Sequence, residues 1–112
     1  MSKITVAIVG KHNLQNEGLS AILSHIEDFD VLMTADSVNH FLESIDDSTI
    51  HVLIRNLIKV ESSDIDDIFT LTKRFPKIKI LIISNNENAD TIYKIIKAGV
   101  KGFLTSESTR QE

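Results

Sequence analysis

The sequence predicts an α/β fold in which five parallel strands alternate with four helices. Five short apolar runs, rich in β-branched residues, are separated by segments whose apolar residues recur at helical spacing. The connections between these elements are short, and such alternation produces a parallel sheet with right-handed crossovers. At 112 residues the chain has the length of one domain with its own core. We therefore expect residues 1–112 to form a single domain.

The third apolar run is predicted to be the central strand. Val52, Leu53 and Ile54 follow one another without alternation, which is typical of a strand that helices cover on both faces. Ligands of open parallel sheets bind beyond the carboxyl ends of the strands, so Arg55 and Asn56 mark the expected position of a functional site. The five strands are predicted at residues 4–9, 29–35, 51–55, 78–83 and 101–105.

Four amphipathic helices are predicted between the strands, each behind a capping residue. The first runs from Asn13 to about Glu27, the second follows Ser37, the third runs from residues 62–64 to Pro76, and the fourth runs from about Asn88 to Gly99. The residues expected to face the sheet from the first and fourth helices are Leu14, Leu19, Ile22, Leu23, Ile26, Ala89, Ile92, Tyr93 and Ile96. Gly18 indicates either close packing against the sheet or a tolerated weakness of the first helix.

Composition excludes several kinds of protein. A net charge of −4 gives no support to a nucleic-acid-binding surface on this segment. The chain has no cysteine, which excludes disulfides and thiolate sites. The first apolar run is shorter than that of a signal peptide, and no segment approaches the roughly 20 apolar residues of a membrane helix. A cytoplasmic location is therefore expected.

Candidate metal ligands and nucleophiles are present but do not form a recognisable pattern. The histidines, at positions 12, 25, 40 and 51, lack the spacing of a metal pair. Three carboxylates at Asp64, Asp66 and Asp67 fall in the predicted first turn of a helix, where its dipole favours them without a metal. Ser84 is not surrounded by the glycines of a hydrolase nucleophile turn. An enzyme is therefore not predicted, and neither is a cofactor.

Three short phrases are specific in combination: Glu17-Gly18-Leu19, Phe75-Pro76, and the segment AGVKGFL at residues 98–104. Together they resemble the receiver domain of two-component response regulators, most of all receivers that precede a LuxR-type helix-turn-helix domain. The resemblance covers residues 3–106 and implies a flavodoxin-like sheet of order 2-1-3-4-5. It also implies a role in transcription regulation, with DNA bound only through a separate C-terminal domain. The chain stops where a fifth helix is expected to begin, so this helix is expected to be missing or truncated, which would leave apolar side chains of the last two strands uncovered.

The resemblance also implies that the phosphorelay chemistry of the family is degenerate in this chain. The positions of the two metal-binding acids correspond to Gly10 and Lys11, that of the phosphoacceptor aspartate to Asn56, and that of the lysine to Ser106, whereas the switch positions are kept as Ser84 and Phe103. A neutral amide cannot replace a carboxylate nucleophile, and Mg²⁺ requires hard oxygen ligands. We therefore expect a non-enzymatic pseudo-receiver that is not phosphorylated on aspartate.

Two further interpretations stay open. Five residues are expected near the mouth of the sheet and could form a cationic pocket for a small anion or a nucleotide: Lys11, Arg55, Lys59, Ser84 and Ser106. They could equally be solvated loop residues, with Lys11 hydrogen-bonded to Asn56. Receivers commonly associate through helix 4 and strand 5, so a homodimer through Tyr93, Ile95 and Phe103 is predicted, with ordinary core packing of these residues as the alternative.

Overall fold

A computed structural model describes residues 4–11, 13–45, 50–57, 60–84 and 89–105. The strands are β1 (Ile4–Gly10), β2 (Phe29–Ala35), β3 (Val52–Asn56), β4 (Lys79–Ser84) and β5 (Gly102–Thr105). The helices are α1 (Asn13–Ser24), α2 (Val38–Ser44), α3 (Ser62–Arg74) and α4 (Ala89–Lys97). All strand pairs are parallel and their order is β2-β1-β3-β4-β5. The predicted fold and strand order are confirmed.

The side chains of the central strands alternate between two hydrophobic layers. The larger layer joins Ala7 and Val9 to buried residues of α2, α3 and α4. The smaller layer consists of Val6, Ile8 and Ile54 and is covered by Leu19 and Leu23 of α1. On the side of the smaller layer, Leu104 of β5 is exposed within the described part of the chain, as expected for a sheet face that one helix covers only in part.

The predicted extent and inward face of α1 were partly wrong. The helix ends at Ser24 and not at Glu27, because the next two amides, those of His25 and Ile26, bond three residues back and close tight turns before β2. Of the apolar residues expected to face the sheet, Leu14, Ile22 and Ile26 are exposed. The smaller hydrophobic layer is therefore covered by only a narrow stripe of α1 side chains.

Gly18 does not pack closely against the sheet. A Cβ atom placed on this residue would meet nothing within 4 Å, and the residue is exposed on α1. Of the two expectations for Gly18, the structure therefore agrees with a tolerated weakness of the helix.

The orientation of α4 also differs from the prediction. Ile95 is 0% exposed and Ala98 is buried, whereas Ala89, Tyr93 and Ile96 are exposed. Four of the five residues from Ile92 to Ile96 are apolar, so more than one helical face could have been the buried one, and packing against the larger layer selects the face of Ile95. Gly99 ends the helix with a φ of +113°, as predicted.

Helix starts follow capping chemistry. Ser37 caps α2 as predicted, since its side-chain oxygen accepts a hydrogen bond from the amide of His40. The N-cap of α3 is Glu61, one residue before the predicted caps. The cap predicted at Asn88 lies outside the described residues. Among those residues, no helix is long and apolar enough to cross a membrane.

Candidate functional site

The carboxyl ends of β1 and β3 lie side by side and open into a pocket. Gly10 and Asn56 are partners in the register of these two strands. A pocket of about 130 Å³ lies between these strand ends and the beginnings of α2 and α3. It is lined by Gly10, Lys11, Asp36, Ser37, Val38, Arg55, Leu57, Ser63, Asp64 and Asp67. This is the edge of the sheet at which the sequence predicts a site.

Gly10 lies in close contact with two asparagines. The side-chain amide of Asn16 donates to the carbonyl oxygen of Gly10 at 2.8 Å. A Cβ atom on residue 10 would lie 2.7 Å from Oδ1 of Asn16, 2.8 Å from the carbonyl oxygen of Asn56 and 3.0 Å from its Cβ. These separations are too short for a side chain, so the two asparagines occupy the space into which a larger residue at position 10 would extend.

Asn16 is a site residue that the sequence analysis missed. It is 2% exposed, and within the described part of the chain its Oδ1 atom is buried with no hydrogen-bond partner. The available signal was its position three residues before Leu19, on the face of α1 that packs on the sheet. A polar residue there points toward the strand ends and needs backbone partners.

Arg55 is a buried cation paired with α3. It is 4% exposed, and its Nη2 donates to Oδ1 of Asp64 at 2.9 Å. The other oxygen of that carboxylate accepts from the backbone N–H of Glu61 at 2.9 Å. Burial lowers the pKa of Arg55, and the nearby carboxylates of Asp64 and Asp67 oppose this shift.

Asp67 lies one turn further along α3. Burial raises the pKa of its carboxyl group, and the attraction of Arg55 opposes the shift. Asp36 is the third carboxylate of the pocket, and its Oδ1 lies 3.2 Å from Nδ1 of His40. With Lys11 and Arg55, the described lining carries two cations and three carboxylates. The sequence predicts a cationic pocket. The described lining is not cationic, because Asp64 and Asp67, which were expected only to stabilise the start of α3, also line the pocket.

The structure brings together only part of the predicted anion site. Lys11 and Arg55 both line the pocket, whereas Ser84 is buried at the end of β4 and is not among the lining residues. No hydrogen bond joins Lys11 to Asn56 in the described part of the chain, where Lys11 is exposed. Lys59 and Ser106 lie outside the described residues. Anion binding therefore stays an untested alternative.

Of the residues predicted to form a dimer surface, Tyr93 is exposed and Ile95 is not. Tyr93 is 62% exposed, and the ammonium of Lys97 lies 5.5 Å from the centre of its ring. Ile95 is fully buried and cannot contact a partner, because α4 turns this side chain into the core. Phe103 is half-buried and packs on the same core.

The positions that the resemblance assigns to Mg²⁺ binding do not fit the ion. Gly10 has no side chain, and Lys11 is a cation that would repel Mg²⁺. In the described ranges, no group of three or more histidine or acidic side chains could hold a metal ion. Of the four histidines, His12 falls outside those ranges.

Comparison with known proteins shows which proteins this chain resembles. No family model matches the chain. It is 23% identical over 106 residues to the transcriptional regulatory protein DegU of Brevibacillus brevis, covering 95% of this chain and 45% of that protein. It is 25% identical over 108 residues to the oxygen regulatory protein NreC of Staphylococcus epidermidis, covering 96% and 50%. The chain thus spans about half the length of these relatives.

Solved structures of response regulators share the fold of this chain. The isolated receiver domain of RcsB from Salmonella enterica serovar Typhimurium, determined with the phosphomimetic BeF₃⁻, superimposes with a TM-score of 0.83 at 19% identity, covering 95% of this chain and 79% of that one. The chain is similar in sequence to these regulators and has the fold of a response-regulator receiver domain. A LuxR-family response regulator from Aurantimonas superimposes on this chain with a TM-score of 0.80 at 17% identity, covering 93% of this chain and 74% of that one.

Proposed function

We propose that this receiver domain acts as a pseudo-receiver, which regulates transcription through noncovalent contacts and is not phosphorylated on aspartate. The observation that carries the proposal is the contact of Gly10 with Asn16 and Asn56. A Cβ atom at position 10 would lie within 3.0 Å of three atoms, two of which belong to β3. The space that a metal-binding acid would need at this position is therefore occupied by the protein itself.

The chemistry of Asn56 supports the same proposal. Phosphoryl transfer to a receiver requires an ionised carboxylate as the nucleophile, and the phosphoryl group carries charge that a metal ion and cationic side chains must neutralise. Asn56 carries an amide, is buried, and pairs with Gly10 across β1 and β3. Arg55, the buried cation beside it, is already paired with Asp64. The pocket thus offers neither a nucleophile at the usual position nor a ligand set for the metal.

The role of the whole protein is inferred from its relatives. DegU is a transcriptional regulatory protein, and RcsB has been solved in complex with DNA, with this chain covering 54% of the RcsB chain. We infer that DNA is bound by a separate C-terminal domain, because this segment is acidic overall. We also infer that the protein is cytoplasmic and is not an enzyme, and that Tyr93 lies on a surface through which two receivers associate.

Mass spectrometry tests the central proposal. The receiver is incubated with acetyl phosphate and Mg²⁺, and its intact mass is compared with that of the untreated protein. A receiver that retains its acids and its acceptor aspartate, treated in parallel, shows that the reagent is active. We expect no phosphoryl adduct on this chain and a labile adduct on the control. An adduct on this chain, whether at Asp36, Asp64 or another carboxylate, would refute the proposal.

A further inference from the structure

We propose that the outward face of α1 is a contact surface for a second copy of this chain, in which two α1 helices cross antiparallel at Gly18. This face lies on the side of the sheet that α1 covers, whereas Tyr93 belongs to α4, which packs on the other hydrophobic layer. The inference therefore goes beyond the proposed function, because it concerns a different surface.

The face of α1 that points away from the sheet carries large apolar side chains. Leu14, Gly18 and Ile22 follow one another at intervals of four residues and therefore share one face of the helix. Leu14 is 82% exposed and Ile22 is 62% exposed. Leu19 and Leu23 pack on the smaller layer from the opposite side of the same helix. The helix is thus apolar on both sides.

The helix is also poor in charge. Glu17 is the only charged residue within Asn13–Ser24. A surface helix ordinarily carries charged and polar side chains on the face opposite the core, and a helix that is apolar all round is typical of one that is covered all round. Little charge would lose its water if a partner covered this face. The composition of α1 therefore suits a helix with a second layer outside it.

Gly18 gains a role if another helix packs here. A Cβ atom on this residue would meet nothing within 4 Å, so the fold of a single chain does not require glycine at this position. The glycine nevertheless costs the helix about 1 kcal/mol relative to alanine. Glycine permits the close approach of another backbone. At the centre of the stripe, it would let Leu14 and Ile22 on either side reach the partner helix.

The spacing of the stripe fits a copy of itself. Leu14 and Ile22 lie four residues before and four residues after Gly18. A two-fold axis at Gly18 with antiparallel helices places Leu14 of each copy opposite Ile22 of the other, as an isologous contact requires. A parallel crossing would instead place each side chain opposite its own counterpart. The two arrangements can therefore be told apart by which positions meet.

Charges at the two ends of the helix favour the antiparallel arrangement. Lys11 precedes α1 and is exposed, and Glu27 and Asp28 follow the helix and are exposed. An antiparallel partner brings Lys11 of each copy towards the acids of the other, whereas a parallel partner brings like charges together. The dipoles of antiparallel helices also attract each other. Charge complementarity thus selects a second copy in one orientation.

Disulfide trapping tests this contact. The chain has no cysteine, so Leu14→Cys and Ile22→Cys each introduce a single thiol at an exposed position. The two variants are mixed in equal amounts and oxidised at high protein concentration, because small contacts are typical of weak complexes. One variant is labelled with a heavy nitrogen isotope, so that mass spectrometry distinguishes mixed dimers from dimers of one variant. Thr70→Cys, at an exposed position on α3, is the control for random collision.

We expect mixed dimers to dominate, whereas oxidation without preference would make them about half of all dimers. The mixed disulfide should form at least about tenfold faster than the Thr70→Cys disulfide, because the contact raises the effective concentration of the two thiols. Adding Gly18→Gln to both variants should return the dimers to the unbiased proportion. Circular dichroism should show that these chains stay folded, since the new side chain meets nothing in the single chain.

Several results would overturn the proposal. An unbiased mixture, a preference for dimers of one variant, or rates no higher than that of Thr70→Cys would each show that two α1 helices do not meet in this way. A bias that survives Gly18→Gln would exclude a crossing at Gly18. Adding Tyr93→Ala to both cysteine variants should leave the bias unchanged, even if the Tyr93 surface fails as a dimer contact. Loss of the bias in that background would show that α1 only follows association through Tyr93, and would refute an independent contact.

Discussion

Replacing Gly10 by alanine should destabilise the domain, because the new methyl group has no room. Its Cβ would lie 2.7 Å from Oδ1 of Asn16, 2.8 Å from the carbonyl oxygen of Asn56 and 3.0 Å from its Cβ. Asn56 belongs to β3 and is held in register with both β1 and β4, so it cannot move without disturbing the sheet. Overpacking of this kind costs about 1–3 kcal/mol. Alanine also restricts the unfolded chain, which returns about 0.4–1 kcal/mol.

The expected net effect is a loss of about 1–2 kcal/mol in the free energy of unfolding. For a domain of about 100 residues this lowers the melting temperature by roughly 4–8 °C per kcal/mol. Urea unfolding followed by circular dichroism measures the free energy directly. The matched control is Gly18→Ala, where a Cβ atom meets nothing within 4 Å. There we expect stabilisation by about 0.5–1 kcal/mol, because alanine favours the helix.

The two variants should change the free energy of unfolding in opposite directions, and this comparison tests the steric argument. Both substitutions add one methyl group, and neither position has a left-handed backbone, since Gly99 is the only described residue with a positive φ. If Gly10→Ala were as stable as Gly18→Ala, the close contact between β1, Asn16 and Asn56 would not exist in solution. The steric argument against a metal-binding acid at position 10 would then fail with it.

Three further predictions concern charge, association and ligands. Burial raises the pKa of Asp67 above 3.8, so the protonated side chain stabilises the folded state below pH 3.8, and this stabilisation is lost as the pH rises through the higher folded pKa. Asp67→Asn should reduce this loss of the free energy of unfolding in urea titrations across the same pH range. An unchanged pH dependence in the variant would contradict the prediction. Light scattering at increasing concentration should show dimers, and Tyr93→Ala should weaken them. The same variant should change the free energy of unfolding by less than about 0.5 kcal/mol. A wild-type protein that stays monomeric at high concentration would exclude this surface. Calorimetric titration with phosphate, sulfate or nucleotides should release no heat, because three carboxylates face two cations in the described lining; measurable heat would revive the anion site.

The fold could be predicted almost completely from the sequence. The apolar runs of the central strands and the short connections left few alternatives to a parallel sheet, and Gly99 marked the end of α4. The buried face of α4 could not be predicted, because apolar residues at 92, 93, 95 and 96 are compatible with more than one orientation. Only the position of the helix over the sheet selects Ile95. In α1, Leu14 and Ile22 lie outside the core, because the smaller hydrophobic layer contacts only the side of the helix that carries Leu19 and Leu23.

A pocket lies at the edge of the sheet where the sequence predicts a site, but its lining differs from the predicted one. The end of β3 was predicted because ligands of open parallel sheets bind beyond the carboxyl ends of the strands. The pairing of Arg55 with Asp64 was missed, since it depends on how α3 returns over the sheet. A signal was present: a charged residue at the end of a buried apolar run needs a partner, and an acid nine residues later lies in the first turn of the next helix.

The packing around Gly10 has a consequence for engineering a metal site into this domain. An aspartate at position 10 would meet Asn16 and Asn56 before it could reach a metal ion. A designed site would therefore need a smaller residue in place of Asn16 together with the new acid, because the acid alone would crowd the ends of β1 and β3.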